Sequence, residues 1–177
     1  YRRYAIVKTI LESLSKQTKV KNIKEIIICD SEKDDDNMKI VIESCRTLFV
    51  NSTIKHVFVE NNLSAKRNAG IIQANSDNLI FIDDDCVPEQ NFISNHLGML
   101  KDSYNALFCG IVEFNKNKLK ISNYTKFRNS RHERINLYNK NEHSENAETS
   151  ENMNFINFVA MNMSCKKKLL TDKNLFF

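Results

Sequence analysis

Residues 78–88 read NLIFIDDDCVP, and the rest of the chain is read outward from them. Leu79, Ile80, Phe81 and Ile82 form a short apolar run, the pattern of a buried β-strand. Asp83, Asp84 and Asp85 follow at once, so the strand ends by delivering carboxylates to a surface. In an extended segment side chains at i and i+2 share a face, which places Asp83 and Asp85 towards one ligand and Asp84 towards another. Carboxylates this close repel: at an effective dielectric of 20, two charges about 4 Å apart cost about 4 kcal/mol. A bound divalent cation is the usual relief. A solvated acidic turn is the alternative reading, against which stand the apolar run before the triplet and Pro88 after it, the marks of an ordered junction.

Just upstream, Asn62 or Ser64 can cap a helix whose face carries Ala65, Ala69, Ala74, Ile71 and Ile72, with Lys66 and Arg67 in its first turns. The small residues imply close packing on a sheet. Gly70 in mid-helix costs about 1 kcal/mol relative to Ala, so it is read as a tight backbone approach. Further back, residues 54–60 (IKHVFVE) read as a strand, with His56 as a packing residue. Residues 25–29 (EIIIC) read as another strand, ending at Asp30. A polar loop then leads to a helix carrying Met38, Ile40, Val41 and Ile42. The chain opens on an amphipathic helix with Ile6, Val7, Ile10, Leu11 and Leu14 on one side and Lys8, Glu12 and Lys16 on the other. Tyr1 to Tyr4 offer no strand before it, so the first strand of an α/β domain is expected to be missing from this sequence.

Downstream, Pro88 and Glu89 are expected to open a helix with Phe92, Ile93, Leu97 and Leu100 inward. His96 falls on the same stripe and reads as a core contact. Residues 106–114 (ALFCGIVEF) form a further apolar strand. Tyr124, Phe127, Ile135, Leu137 and Tyr138 suit a loose helix, whereas Asn139 to Asn154 is polar and aperiodic, the expectation being a mobile loop over a site. Residues 155–165 (FINFVAMNMSC) return to apolar character, and Lys166 to Leu170 start a helix.

The chain of 177 residues, 41% hydrophobic, fits one domain spanning 1–177 with a sizeable core. A net charge of +4 and a pI near 8.7 are mildly basic. The Lys and Arg residues are spread along the chain, which excludes a nucleic-acid arm and leaves a weak bias towards phosphates or anionic membrane surfaces. No apolar run approaches the ~20 residues of a membrane span, and no signal peptide is seen, so a soluble chain is expected. Cys29, Cys45, Cys86, Cys109 and Cys165 are odd in number, lack CxxC spacing and lie in or beside apolar runs, which fits a reducing, cytoplasmic setting. Carboxylates beside Cys86 raise its thiol pKa and argue against a nucleophile.

Strands and helices that alternate, with acidic loops at strand ends, describe an α/β fold: a mostly parallel sheet flanked by helices, its ligand crevice at the carboxyl ends of the strands. The ordered motifs YRRYAIVKTILESLSKQT (1–18), EIIICD (25–30), LSAKRNAGIIQA (63–74), FIDDDCVP (81–88) and FVAMNMSCKK (158–167) narrow it further. Together the chain resembles a family 2 glycosyltransferase with a GT-A, Rossmann-like fold. The resemblance runs from Tyr1 to about Leu170 and is strongest from Ser64 to Pro88.

The resemblance implies residue roles. Tyr1 would line the nucleotide base and Asp30 would hydrogen-bond it. Arg67 would lie near the nucleotide, with Asn68 and Gly70 structural and Lys66 a weaker phosphate contact. Asp83 to Asp85 match the DXD motif, making Asp83 and Asp84 donor-binding residues and Asp83 and Asp85 the ligands of Mn²⁺ or Mg²⁺ on the diphosphate. Asn162-Met163-Ser164 would lie near the acceptor and donor sugar. The implied activity is metal-dependent, inverting transfer from a nucleoside diphosphate sugar, a UDP-sugar foremost, to a glycan or lipid-linked acceptor in polysaccharide biosynthesis. Peripheral membrane contact stays open. Two features depart from the pattern. Ser31-Glu32-Lys33-Asp34 stand where the family has an acidic or glycine-containing loop, and the acidic pair that supplies the base is expected beyond Phe177. Glu113 is the nearest carboxylate at a strand end, and no catalytic base is assigned.

Three other readings compete. FIDDDCV also fits a haloacid-dehalogenase-like phosphohydrolase, with Asp83 as nucleophile and Asp85 as acid/base, but that fold expects the motif on its first strand. A cytidylyltransferase-like enzyme needs a glycine-rich loop after its first strand, and Tyr1 to Tyr4 contain no glycine. An inactive nucleotide-sugar-binding fragment is the non-enzyme alternative.

Overall fold

The structure, a computed structural model, describes residues 3–33, 36–101, 106–110, 162–172 and 177. Within them the elements run α1 (Tyr4–Ser15), β1 (Glu25–Asp30), α2 (Asp36–Arg46), β2 (Thr53–Phe58), α3 (Leu63–Gln73), β3 (Asn78–Ile82), α4 (Phe92–Leu100), β4 (Leu107–Cys109), β5 (Asn162–Lys166) and α5 (Lys167–Asp172). Tyr1, Glu113, the helix expected at 124–138, the loop at 139–154, and residues 111–114 and 155–161 of the two expected strand segments lie outside the described residues.

The α/β class holds, with helices flanking the strands. β1 and β2 pair in parallel from Glu25↔Thr53 to Asp30↔Phe58, and α2 makes the crossover that parallel strands require. The other described strands form an antiparallel sheet in the order β3-β5-β4. The parallel arrangement expected from strand–helix alternation therefore describes β1 and β2, while β5 runs against both of its neighbours. Its register sets Asn162 opposite Ile82, one residue before the aspartate triplet.

Strand alternation builds the two cores. Ile26 and Ile28 of β1 and Ile80 of β3 pack on a cluster of Val7, Ile10, Leu11 and Leu14 from α1 with Met38, Ile42 and Cys45 from α2. Ile27 and Phe81 point the other way, onto Ile71, Ala74, Leu79, Cys165, Leu169 and Leu170. Side chains buried as fully as Leu11 and Ile71 each contribute about 1.5–3 kcal/mol.

Two polar knots fix the connections. Glu25, its side chain 8% exposed, accepts from Lys55 Nζ (2.9 Å) and from the backbone N–H groups of Asn75 (2.6 Å) and Ser76 (2.8 Å). Burial works to raise this carboxyl's pKa, yet those donors hold it down at about 2. The start of β1 is thus tied to β2 and to the link between α3 and β3. Buried Gln17, after α1, donates from Nε2 to Glu89 O (2.6 Å) and accepts at Oε1 from Ile93 N (3.1 Å). With Glu89 and Gln90 carbonyls bound to Gln17 and Thr18, α4 begins at Phe92 and not at Pro88 as its sequence predicts.

Gly70 also departs from expectation. A Cβ there would meet only Cys29 Sγ, at the ordinary contact distance of 3.7 Å, so no tight approach demands glycine. Gly110 is the crowded one: an added Cβ would lie 2.7 Å from Asn162 Cγ. Among the described residues no helix is long and apolar enough to cross a membrane.

Candidate functional site

The site grows from the ends of β1 and β3 and from one helix that touches both. Asp30 is the last residue of β1, and its Oδ1 accepts from Ser31 N at 2.7 Å. Asn62 caps α3 by accepting from Ala65 N at 3.1 Å, which sets the first turns of the helix and the side chains they carry. From there Lys66 Nζ reaches Ser31 Oγ (3.3 Å), beside Asp30. Arg67 Nη2 donates to Asp83 Oδ1 (3.2 Å), just past β3. Adjacent basic residues on one helix therefore reach the residues that follow both strands, Lys66 a hydroxyl next to Asp30 and Arg67 the Asp83 carboxylate.

The triplet is not arranged as extended chain. β3 ends at Ile82, and the backbone enters a turn closed by Cys86 N donating to Asp83 O at 3.1 Å. That turn breaks the i, i+2 alternation. Asp83 goes to Arg67, while Asp84 and Asp85 share Arg3, whose Nη1 contacts Asp84 Oδ1 and lies 3.8 Å from Asp85 Oδ2. The extended, alternating geometry expected of the triplet therefore does not hold, and the two arginines divide it as Asp83 on one side and Asp84 with Asp85 on the other. Guanidinium groups offset part of the repulsion within the triplet.

Among the described residues no three His, Cys, Asp or Glu side chains come together as a metal cage. What the turn offers is oxygen from one or two carboxylates, a hard donor set. Such a set suits Mg²⁺ or Mn²⁺, ions that take one or two carboxylates and complete their shell with substrate phosphates and water. The donor set therefore fits the implied metal shared with a diphosphate. With Asp83 engaged by Arg67, Asp85, whose side chain is 55% exposed, is the most available ligand.

Three contributors were not anticipated. Arg3 occupies the N-cap position of α1 without a side-chain capping bond, where the helix dipole disfavours a cation. That mismatch was the signal available in YRRY. Phe177 lies over Arg67, 5.4 Å from guanidinium carbon to ring centroid, and meets the Phe81 ring at a 60° tilt with centroids 5.6 Å apart. Asn68 fixes it by donating to Phe177 O (3.1 Å) and accepting from Phe177 N (2.9 Å). His56 Nε2 is buried with no hydrogen-bond partner among the described residues and faces Asp30 Oδ2 at 3.7 Å.

Residues flanking the triplet have defined states. Burial, and then Asp85 and Asp83, push the Cys86 thiol up to about 12, which excludes a thiolate nucleophile. None of the five cysteines forms a disulfide. His96 is buried as expected and bridges α4 to β5, with Nδ1 2.8 Å from Ser164 Oγ and Nε2 2.7 Å from Asn162 Oδ1. Burial lowers its pKa against the opposing effect of Asn162. The imidazole is therefore neutral, its Nε2–H donating to the Asn162 carbonyl and its Nδ1 accepting from the Ser164 hydroxyl. This holds the end of β5 beside the triplet.

The comparisons agree with this architecture. The chain aligns along its whole length with crystal structures of S. aureus TarS residues 1–349, at a TM-score of 0.69 and 17% identity. The same TarS segment in complex with UDP gives 0.68 and 18%. The chain spans about half the length of these structures, 48% and 47%. No curated protein matches. The model named Glycosyl transferase family 2 matches residues 1–165, and the chain belongs to that family.

Proposed function

We propose that this chain forms the donor-binding part of a metal-dependent, inverting glycosyltransferase that moves sugar from a nucleoside diphosphate sugar, foremost a UDP-sugar, to a glycan or lipid-linked acceptor. The observation that carries the reading is the basic pair of α3: Lys66 at the β1 end and Arg67 at the β3 end converge basic charge between two acidic strand termini. Membership of the family and the UDP complex of TarS support it. In this reading Asp30, with Tyr1, reads the base, and Asp83 and Asp84 hold the ribose side. Arg67 orients Asp83 through its 3.2 Å hydrogen bond, while Lys66 stands by the phosphates. Asp85, with Asp83, holds Mn²⁺ or Mg²⁺. When bound, that ion neutralises the charge that builds on the departing nucleoside diphosphate. The neutral His96 and Asn162 keep the neighbouring edge of β5 in register. The absence of disulfides suits a cytoplasmic setting, with peripheral membrane association left open.

The experiment is a thermal-shift panel with UDP, GDP, CDP and dTDP, each with Mn²⁺ and with EDTA. Ligand at about 100 times its Kd stabilises the fold by about 2.7 kcal/mol, a shift of several degrees. UDP with Mn²⁺ is expected to give the largest shift, and Arg67→Ala to remove most of it. Equal melting in all conditions, at nucleotide concentrations up to several millimolar, would refute the reading.

A further inference from the structure

We propose that Arg3 is a displaceable counter-ion of the aspartate triplet and that it sets how tightly the site takes a divalent cation. The inference rests on the reading of Asp85 as a metal ligand. Two arginines divide the triplet, and they are held very differently. Arg67 and Asp83 have side chains 16% and 29% exposed, and the Arg67 guanidinium lies against Phe177, which Asn68 anchors through two hydrogen bonds. That pair is built in. Arg3 is 43% exposed, and its partners Asp84 and Asp85 are 44% and 55% exposed. Ion pairs so open to water are weak, about 1.5- to fivefold in an equilibrium constant.

The backbone of Arg3 is fixed, because its carbonyl accepts from Ile6 N and Val7 N in the first turn of α1. Its side chain points at the carboxylates against the helix dipole, so the acidic turn is what attracts it. A guanidinium and a divalent cation compete for the same oxygens: Nη1 contacts Asp84 Oδ1 and stands 3.8 Å from Asp85 Oδ2, within the region that the oxygen shell of a cation on these carboxylates would take up. Entry of the cation therefore expels Arg3, whereas Arg67 stays on Asp83. The weak pair is the one that yields, and the energy of breaking it is subtracted from metal binding.

Mn²⁺ binding, followed by the free-ion EPR signal with and without UDP, tests this without any transfer assay. Arg3→Gln removes the pair that the cation has to break and is expected to tighten Mn²⁺ binding by what that pair is worth, about two- to fivefold. Arg3→Lys keeps the charge on a single-point donor and is expected to fall between Gln and wild type. Because Arg3 is exposed, its variants are expected to melt as wild type does, which circular dichroism checks. Unchanged or weaker Mn²⁺ binding by Arg3→Gln, with binding still lost in Asp85→Asn, overturns the role of Arg3 and leaves the metal reading standing. Absence of Mn²⁺ binding by wild type, with and without UDP, overturns both.

Discussion

Replacing Glu25 by Gln tests the knot that holds the site's two strand ends in relation to each other. The carboxylate is 8% exposed and is bound by Lys55 and by the Asn75 and Ser76 amides, which keep its pKa at about 2 against an ordinary 4.5. At 1.36 kcal/mol for each pKa unit, that difference corresponds to about 3 kcal/mol of stability. The sign follows from a folded-state pKa below the unfolded one. The contribution is complete above about pH 4.5 and is lost as pH falls through the folded value near 2. Glu25→Gln is therefore expected to lower the urea-unfolding free energy by about 2–3 kcal/mol at pH 7, with an unchanged m-value. At pH 3.5 the gap between variant and wild type is expected to narrow by about 1.4 kcal/mol. A loss below about 0.5 kcal/mol at pH 7, or a gap that does not narrow in acid, refutes the reasoning.

Three substitutions test other local arguments. Gly110→Ala drives a Cβ into the Asn162 amide, which His96 holds at 2.7 Å, so a loss of about 1–3 kcal/mol in urea unfolding is expected and neutrality would contradict the packing. Gly70→Ala meets only Cys29 Sγ at 3.7 Å and is expected to stabilise α3 by up to about 1 kcal/mol, whereas a lower melting temperature would reveal a role for glycine that the geometry does not contain. Gln17→Ala leaves the Glu89 carbonyl and the Ile93 amide without their side-chain partner, at a cost of about 1–3 kcal/mol, and unchanged thermal unfolding would count against it.

Much of the fold was legible because periodicity reports burial directly. The α1 stripe of Val7, Ile10, Leu11 and Leu14 is buried, and of the two candidate caps of α3, Asn62 and Ser64, Asn62 is the one that serves. Strand direction was not legible, since the apolar run around Asn162 to Cys165 carries no mark of which neighbours it will pair with. For the same reason the start of α4 was misplaced: the groups that set it, Gln17 and Thr18, come from over 70 residues earlier. The site shows the same division. Local spacing put Asp30 and the triplet at strand ends and Arg67 in the first turns of α3, while the roles of Asp30 and Arg67 came from the family resemblance alone. It failed on how the triplet divides, because a turn after Ile82 replaces the extended geometry that the alternation assumes. Arg3 and Phe177 reach the site only through tertiary folding, 81 residues from Asp84 and 109 from Asn68.

The central claim is that this turn of aspartates takes a nucleoside diphosphate through a divalent cation, and calorimetry of UDP binding with Mn²⁺ to wild type and to Asp85→Asn tests it most directly. Wild type is expected to bind UDP with Mn²⁺ and to lose at least about tenfold in affinity when EDTA replaces the metal, because few protein ligands share the ion. Asp85→Asn is expected to melt within about 2 °C of wild type and to bind UDP equally weakly with and without Mn²⁺. Metal-dependent binding of undiminished affinity in Asp85→Asn would contradict the account.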